Sequence, residues 1–179
     1  AKGQGISYIN NQQSVFPSSL KTVSLASAKT DMAYQPNQSK VIGFYVNWDD
    51  TSFSSLQNNI GTLDGLIPEW LHLADKNGNI AINDQAIQDK TLNYIYRNRP
   101  DLPIYPLINN FDQNIQDWNS QMLGKMLQNP AARTQTIQNL LDFVAKNKFS
   151  GISIDFENVP DADQSLLATF MKELFAKFH

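Results

Sequence analysis

Two carboxylates stand two residues apart near the end of the chain, in the run Phe149-Ser150-Gly151-Ile152-Ser153-Ile154-Asp155-Phe156-Glu157-Asn158-Val159. Apolar and polar residues alternate along it. Strand side chains point to opposite faces with a period of two, so Ile152, Ile154 and Phe156 share one face while Ser153, Asp155 and Glu157 share the other. The apolar face predicts burial on that side of a sheet. Carboxylates held close together push each other's ionisation apart, so one keeps a proton while the other stays charged. Glycoside hydrolysis needs that division between an acid and a charged partner. The competing reading is an ion-pair network between these acids and an Arg or Lys of a neighbouring strand.

Four segments read as strands: 41–47, 63–70, 102–109 and 151–157. Each is followed by a helical pattern. Residues 53–60 form a short one behind the capping candidates Thr51 and Ser52. Over 84–98, behind Asn83, residues Ile87, Thr91, Tyr94 and Ile95 recur at helical spacing. Asn129-Pro130 opens another, with proline at the first helical position and Ile137, Leu140, Leu141 and Val144 on one face. The last runs over 161–178, its stripe formed by Leu167, Phe170, Met171, Leu174 and Phe178. Serial strand–helix units predict an α/β fold with a parallel sheet. A closed barrel of this kind has eight units and about 250 residues, so the chain reads as the N-terminal half of a TIM-type (β/α) barrel over 41–179. Residues 1–40, rich in Ser, Gln, Asn, Lys and Thr, read as a linker or extended arm. Beginning at Ala1 without Met, the chain looks like a processed or excised segment.

Active sites of such barrels lie at the carboxyl ends of the strands, where Trp48-Asp49-Asp50, Glu69-Trp70 and Asn109-Asn110 fall. Glu69 and Trp70 read either as an extra acid and a subsite wall or as a salt bridge and a core aromatic. Tyr45 and Trp48 offer aromatic faces to a sugar ring, or serve as core and loop anchor. His72 and His179 are too far apart and too poorly accompanied to suggest a metal site. Asp75-Lys76-Asn77-Gly78-Asn79 has a calcium-loop flavour, but its glycine is two positions early and no Glu follows at the twelfth, so it reads as a turn. With 41% hydrophobic and 17% charged residues, the composition is globular. The net charge of −3 and the absence of a basic stripe argue against nucleic acid and suit a polysaccharide partner. There is no cysteine, which excludes disulfides and thiolate metal sites.

The run Ser150-Gly151-Ile152-Ser153-Ile154-Asp155-Phe156-Glu157 resembles the signature of glycoside hydrolase family 18, the chitinase-like family, whose pattern on the fourth barrel strand is Asp-Gly-x-Asp-x-Asp-x-Glu. Gly151, Asp155 and Glu157 match; Ser150 and Ser153 replace acids. The resemblance implies Glu157 as proton donor and Asp155 as the carboxylate that positions the substrate's N-acetyl group, itself the nucleophile, with no cofactor and no metal. Tyr45 and Trp48 resemble the family's aromatic first strand, whereas Asn109 and Asn110 stand where it often has Ser-x-Gly-Gly. Gly43-Phe44-Tyr45-Val46-Asn47-Trp48-Asp49-Asp50 and Pro68-Glu69-Trp70-Leu71 are similar to the family 18 module of large bacterial proteins that also carry polysaccharide deacetylase and membrane glycosyltransferase modules. That similarity implies an extracytoplasmic domain, part of a larger multidomain chain, acting on an N-acetylglucosamine-type polymer or holding it without turnover. Substrate contacts are expected from Tyr45, Trp48, Asp49, Glu69, Trp70, Asn109 and Asn110. A half-barrel also leaves a sheet edge open, from which dimerisation is expected.

Overall fold

The computed structural model describes residues 39–179, and nearly all of the expected arm lies outside them. The first strand, β1 (Ile42–Val46), leads into α1 (Asp50–Asn59), which a single 3₁₀ turn, Ile60–Thr62, extends. Next come β2 (Gly65–Leu73), β3 (Ile80–Ile82) and α2 (Gln85–Asn98). The short strand β4 (Leu107–Asn109) precedes a small hairpin, β5 (Phe111–Asp112) and β6 (Asp117–Trp118). Two helices follow, α3 (Ser120–Gln128) and α4 (Pro130–Asn147), and then β7 (Ser153–Asp155) and α5 (Gln164–Phe178).

The main sheet has the order β1-β2-β4-β7, all parallel, with β3 antiparallel to the end of β2. Strands adjacent in the sheet are thus successive units of the chain, with helices between them. The four expected strands and four expected helices are all present. Caps explain most boundary differences: Asp49 accepts from the Thr51 amide and starts α1 before Thr51, and Asp84 rather than Asn83 accepts from the Ile87 amide at α2. Asn129 and Pro130 open α4 as the sequence predicts.

Helix α3 and the short strand β3 were not expected from the sequence, and two further features went unread. Prolines interrupt the third strand, so Ile104 bridges Leu66 in isolation and regular pairing begins only at Leu107, after Pro106. The hairpin β5–β6 has strands of two residues each, too short for any periodicity, and is held by edge-to-face packing of Phe111 on Trp118 at 5.4 Å. The turn expected at Asp75 is present: its carboxylate accepts from the Asn77 amide and from Asn79 Nδ2, both at 2.7 Å.

The core lies between the sheet and the helices. Leu66, Trp70 and Leu71 of β2, Ile108 of β4, Leu123 and Met126 of α3, Leu140 of α4 and Phe170 of α5 are fully buried there. Ile154 and Phe156 pack against the same cluster, as their alternation predicts. The other face of the sheet is open, and Phe44 on β1 is 51% exposed while its neighbour Tyr45 is 3%.

Candidate active site

Pairing brings the acids together at the carboxyl end of the sheet. His72, Asn109 and Asp155 are level with one another across β2, β4 and β7. Glu69 reaches this group from β2, where its Oε1 accepts from Asn109 Nδ2 at 3.0 Å. Its Oε2 accepts a longer bond, 3.5 Å, from the indole N–H of Trp48 just beyond β1. Asn109 is completed by the Phe111 amide, which donates to its Oδ1.

Glu157 lies two residues past Asp155, where the ladder has ended. Asn110 takes over its placement: the fully buried amide accepts from the Glu157 N–H at 2.8 Å and donates to the Glu157 carbonyl at 3.0 Å. This reciprocal pair imitates one more step of strand pairing and fixes the backbone from which an exposed carboxylate projects. Asn158 then adopts a left-handed φ of 52°, which turns the chain away. At the opposite end of the strand, a Cβ on Gly151 would meet the Tyr105 ring at 3.2 Å, so this glycine makes room for an aromatic.

The electrostatics follow from this crowding. Burial, and then the charge of Glu157, raise the Asp155 pKa above its ordinary value. Burial raises that of Glu69 as well; hydrogen bonds from Trp48 and Asn109 oppose the rise, and the charge of Asp155 adds to it. Among the described residues the ion pairs are Arg99–Asp101 and Arg133–Glu173, and neither reaches these acids. The competing ion-pair reading therefore has no cation among those residues. No group of three His, Asp or Glu side chains among them could hold a metal ion.

Of the candidates named from the sequence, Asp155, Glu157, Glu69, Asn109, Asn110 and Trp48 come together. Trp48 is 69% exposed, an aromatic face open to a ligand. Three expectations need correction. Tyr45 faces the helices, where its hydroxyl accepts from Thr91 Oγ1 at 3.0 Å, so it is core rather than a sugar contact. Trp70 is also core: the β2–β4 register shifts between Glu69 and Leu71, two consecutive side chains bury, and the indole packs 5.8 Å from Phe149. Asn109 and Asn110 are buried, with amides already committed to the acids and the adjoining backbone; they hold the site and do not line a sugar groove. Asp49 caps α1 at the rim, its Oδ1 accepting from both the amide and the hydroxyl of Thr51.

Two neighbours were missed. His72 stands level with Asn109 and pairs with Asn83 Oδ1 at 2.5 Å. Its signal was the continuation Leu71-His72-Leu73 beyond the expected end of the strand. The hairpin that carries Phe111 and Trp118 starts directly after Asn110, and Asp112-Gln113-Asn114 was the turn signal. A surface depression of about 310 Å³ lined by Asp75, Lys76, Asn119 and Lys125 contains none of Glu69, Asp155 and Glu157. The chemistry is better located by the hydrogen-bonded carboxylates than by this hollow.

Comparison with known proteins identifies the family and the fold. The family profile described as glycosyl hydrolases family 18 matches residues 40–179. The Uncharacterized glycosylase YvbX of Bacillus subtilis is 25% identical over 153 residues, covering 84% of this chain and 43% of that protein. The crystal structure of a chitinase from Chromobacterium violaceum superposes with a TM-score of 0.66 at 20% identity, over 76% of this chain and 42% of that one. A GH18 chitinase from Cycas revoluta in complex with (GlcNAc)3 gives 0.63 at 14% identity, over 76% and 40%. The chain thus spans less than half the length of these relatives. Four consecutive parallel β/α units and paired acids at the end of the fourth strand accord with the sequence match, and the chain belongs to glycosyl hydrolases family 18, as the N-terminal half of its barrel.

Proposed function

We propose that this chain carries the acid end of a glycosidase that cleaves β-linked N-acetylglucosamine-type polysaccharide with the help of the substrate's own N-acetyl group. The observation that carries the reading is the placement of Asp155 and Glu157: one partly buried with its pKa raised, the other exposed on a backbone clamped by Asn110. In this scheme Glu157 donates its proton to the glycosidic oxygen as the N-acetyl carbonyl oxygen attacks the anomeric carbon and the bond to the leaving sugar breaks. Asp155 accepts the N–H of the same acetamide and holds it in line. Glu157, now a carboxylate, takes a proton from the water that opens the cyclic intermediate, which restores the acid. Trp48 supplies an apolar face for a pyranose ring. Polymers of this kind lie outside the cytoplasm, and the reading carries an extracytoplasmic location with it.

The Cycas revoluta neighbour, solved with (GlcNAc)3, supports the substrate class by likeness of fold. A glycan-binding module without turnover is the second reading, motivated by Ser150 and Ser153 in place of acids. Substrate assistance makes a specific demand on the ligand. A chain bearing the complete barrel is expected to release reducing ends from N-acetylglucosamine oligomers and to leave fully de-N-acetylated oligomers intact. Equal hydrolysis of both would remove the acetamide from the mechanism.

A further inference from the structure

Glu69 is a partly buried carboxylate at the carboxyl end of the sheet that the proposed reaction leaves without a task. Its two oxygens each have a donor, Asn109 on β4 and Trp48 beyond β1, so the side chain is held rather than free to swing. The same Asn109 is the ladder partner of Asp155. Asn109 therefore holds Glu69 through its side chain and lies beside Asp155 through strand pairing. On β7 itself, the position two residues before Asp155 and on the same face is Ser153, which carries no charge.

The other groups around Asp155 sharpen the point. Its own strand brings Glu157, β4 brings the neutral Asn109 and Asn110, and β2 brings Glu69 and His72, the latter engaged by Asn83. Beyond β1, Asp49 is turned to the start of α1. No Lys or Arg forms an ion pair with any of these acids among the described residues. Acids close together with no cation between them titrate as a coupled set, each ionisation making the next harder.

We propose that Glu69 is a positioning residue that acts through Asp155: reaching toward it from β2, it is the carboxyl neighbour that Ser153 does not provide, and the two ionise as a coupled pair. Its consequence for turnover rests on the hydrolase reading, whereas the coupling is a property of the chain itself. Coupling to a second carboxylate keeps Asp155 in its acid form to higher pH than an isolated aspartate. Burial raises Glu69 and the Asp155 charge adds a smaller rise, against the hydrogen bonds from Trp48 and Asn109, while Asp155 is raised by burial and by Glu157.

The test is a carboxyl-carbon NMR titration of Asp155 and Glu69 in the 179-residue chain, with E69Q and D155N alongside. Removing Glu69's charge is expected to lower the Asp155 midpoint, and D155N to lower that of Glu69. A merely structural role for Glu69 would leave the Asp155 midpoint unchanged in folded E69Q and the Glu69 midpoint unchanged in D155N. Amide spectra report whether each variant keeps the fold; D155N leaves both hydrogen bonds of Glu69 intact, so it decides alone if E69Q unfolds. An unchanged Glu69 midpoint in D155N, or an unchanged Asp155 midpoint in folded E69Q, overturns the proposal. Absence of turnover in a complete barrel with coupling still measured would count against the hydrolase and leave the coupled pair standing.

Discussion

Asn110 shows how much of a site one neutral side chain can hold. It is fully buried, and both polar ends go to the backbone of Glu157. Replacing it with Ala removes both part-buried hydrogen bonds to the Glu157 backbone, at a cost of about 0.5–1.5 kcal/mol for each. Asn110→Ala is expected to lower the urea midpoint accordingly, and in a complete barrel to reduce turnover beyond what lost stability explains, because the Glu157 backbone loses its clamp. The acids themselves were legible, since a period of two put Asp155 and Glu157 on one face opposite Ile154 and Phe156. The asparagines were legible as belonging to the site but not in their role. Amide orientation depends on partners 40 and 47 residues away, which no local pattern encodes.

At the scale of elements, helix α4 is joined to α5 through Arg133, whose guanidinium donates to both Glu173 oxygens at 2.9 and 3.0 Å and to the Leu127 carbonyl at 2.7 Å. The hydrogen bond from Arg133 holds Glu173 below its ordinary value of 4.5, against a smaller opposing effect of burial. A carboxylate with a depressed folded pKa stabilises the fold fully above its unfolded value and loses that contribution as pH falls through the folded one. Thermal melting is therefore expected to fall as pH drops below about 4.5, and Glu173→Gln to flatten that part of the profile while lowering stability at neutral pH. The Glu173 side chain is 39% exposed, so solvent screening keeps the effect modest. Helices were the most legible elements, because α2 and α4 announce themselves by period, cap and proline. Strand β2 was less so. Its alternation buries Leu66, Pro68 and Trp70 on the helix face, which settles Trp70 as the core aromatic of the two readings, and the bulge between Glu69 and Leu71, which no local pattern announced, buries Leu71 beside it.

Over the whole molecule, the order of strands was legible because each strand–helix unit feeds the next neighbour of a parallel sheet. Contacts between distant units were not. Gly78, in the turn between β2 and β3, has φ +90°, and a Cβ there would stand 2.2 Å from the Ala132 carbonyl oxygen of α4. Its own carbonyl accepts from Asn139 Nδ2 at 3.0 Å. This is where the carboxyl end of β2 docks on the helix layer. Gly78→Ala is expected to cost on the order of 1–3 kcal/mol from backbone strain, with a further loss from the clash. A calorimetric midpoint unchanged by that substitution would show that the turn does not dock as described.

The central claim concerns a proton on Glu157, and the most direct measurement is reducing-end release from N-acetylglucosamine oligomers by a chain bearing the complete barrel, beside its Glu157→Gln variant. The account predicts turnover in the parent, its loss by a factor of about 10² or more in the variant, and oligomer binding retained in both. Turnover that survives in Glu157→Gln would contradict the assignment of the acid, and binding without turnover in the parent would make the site a glycan-holding one.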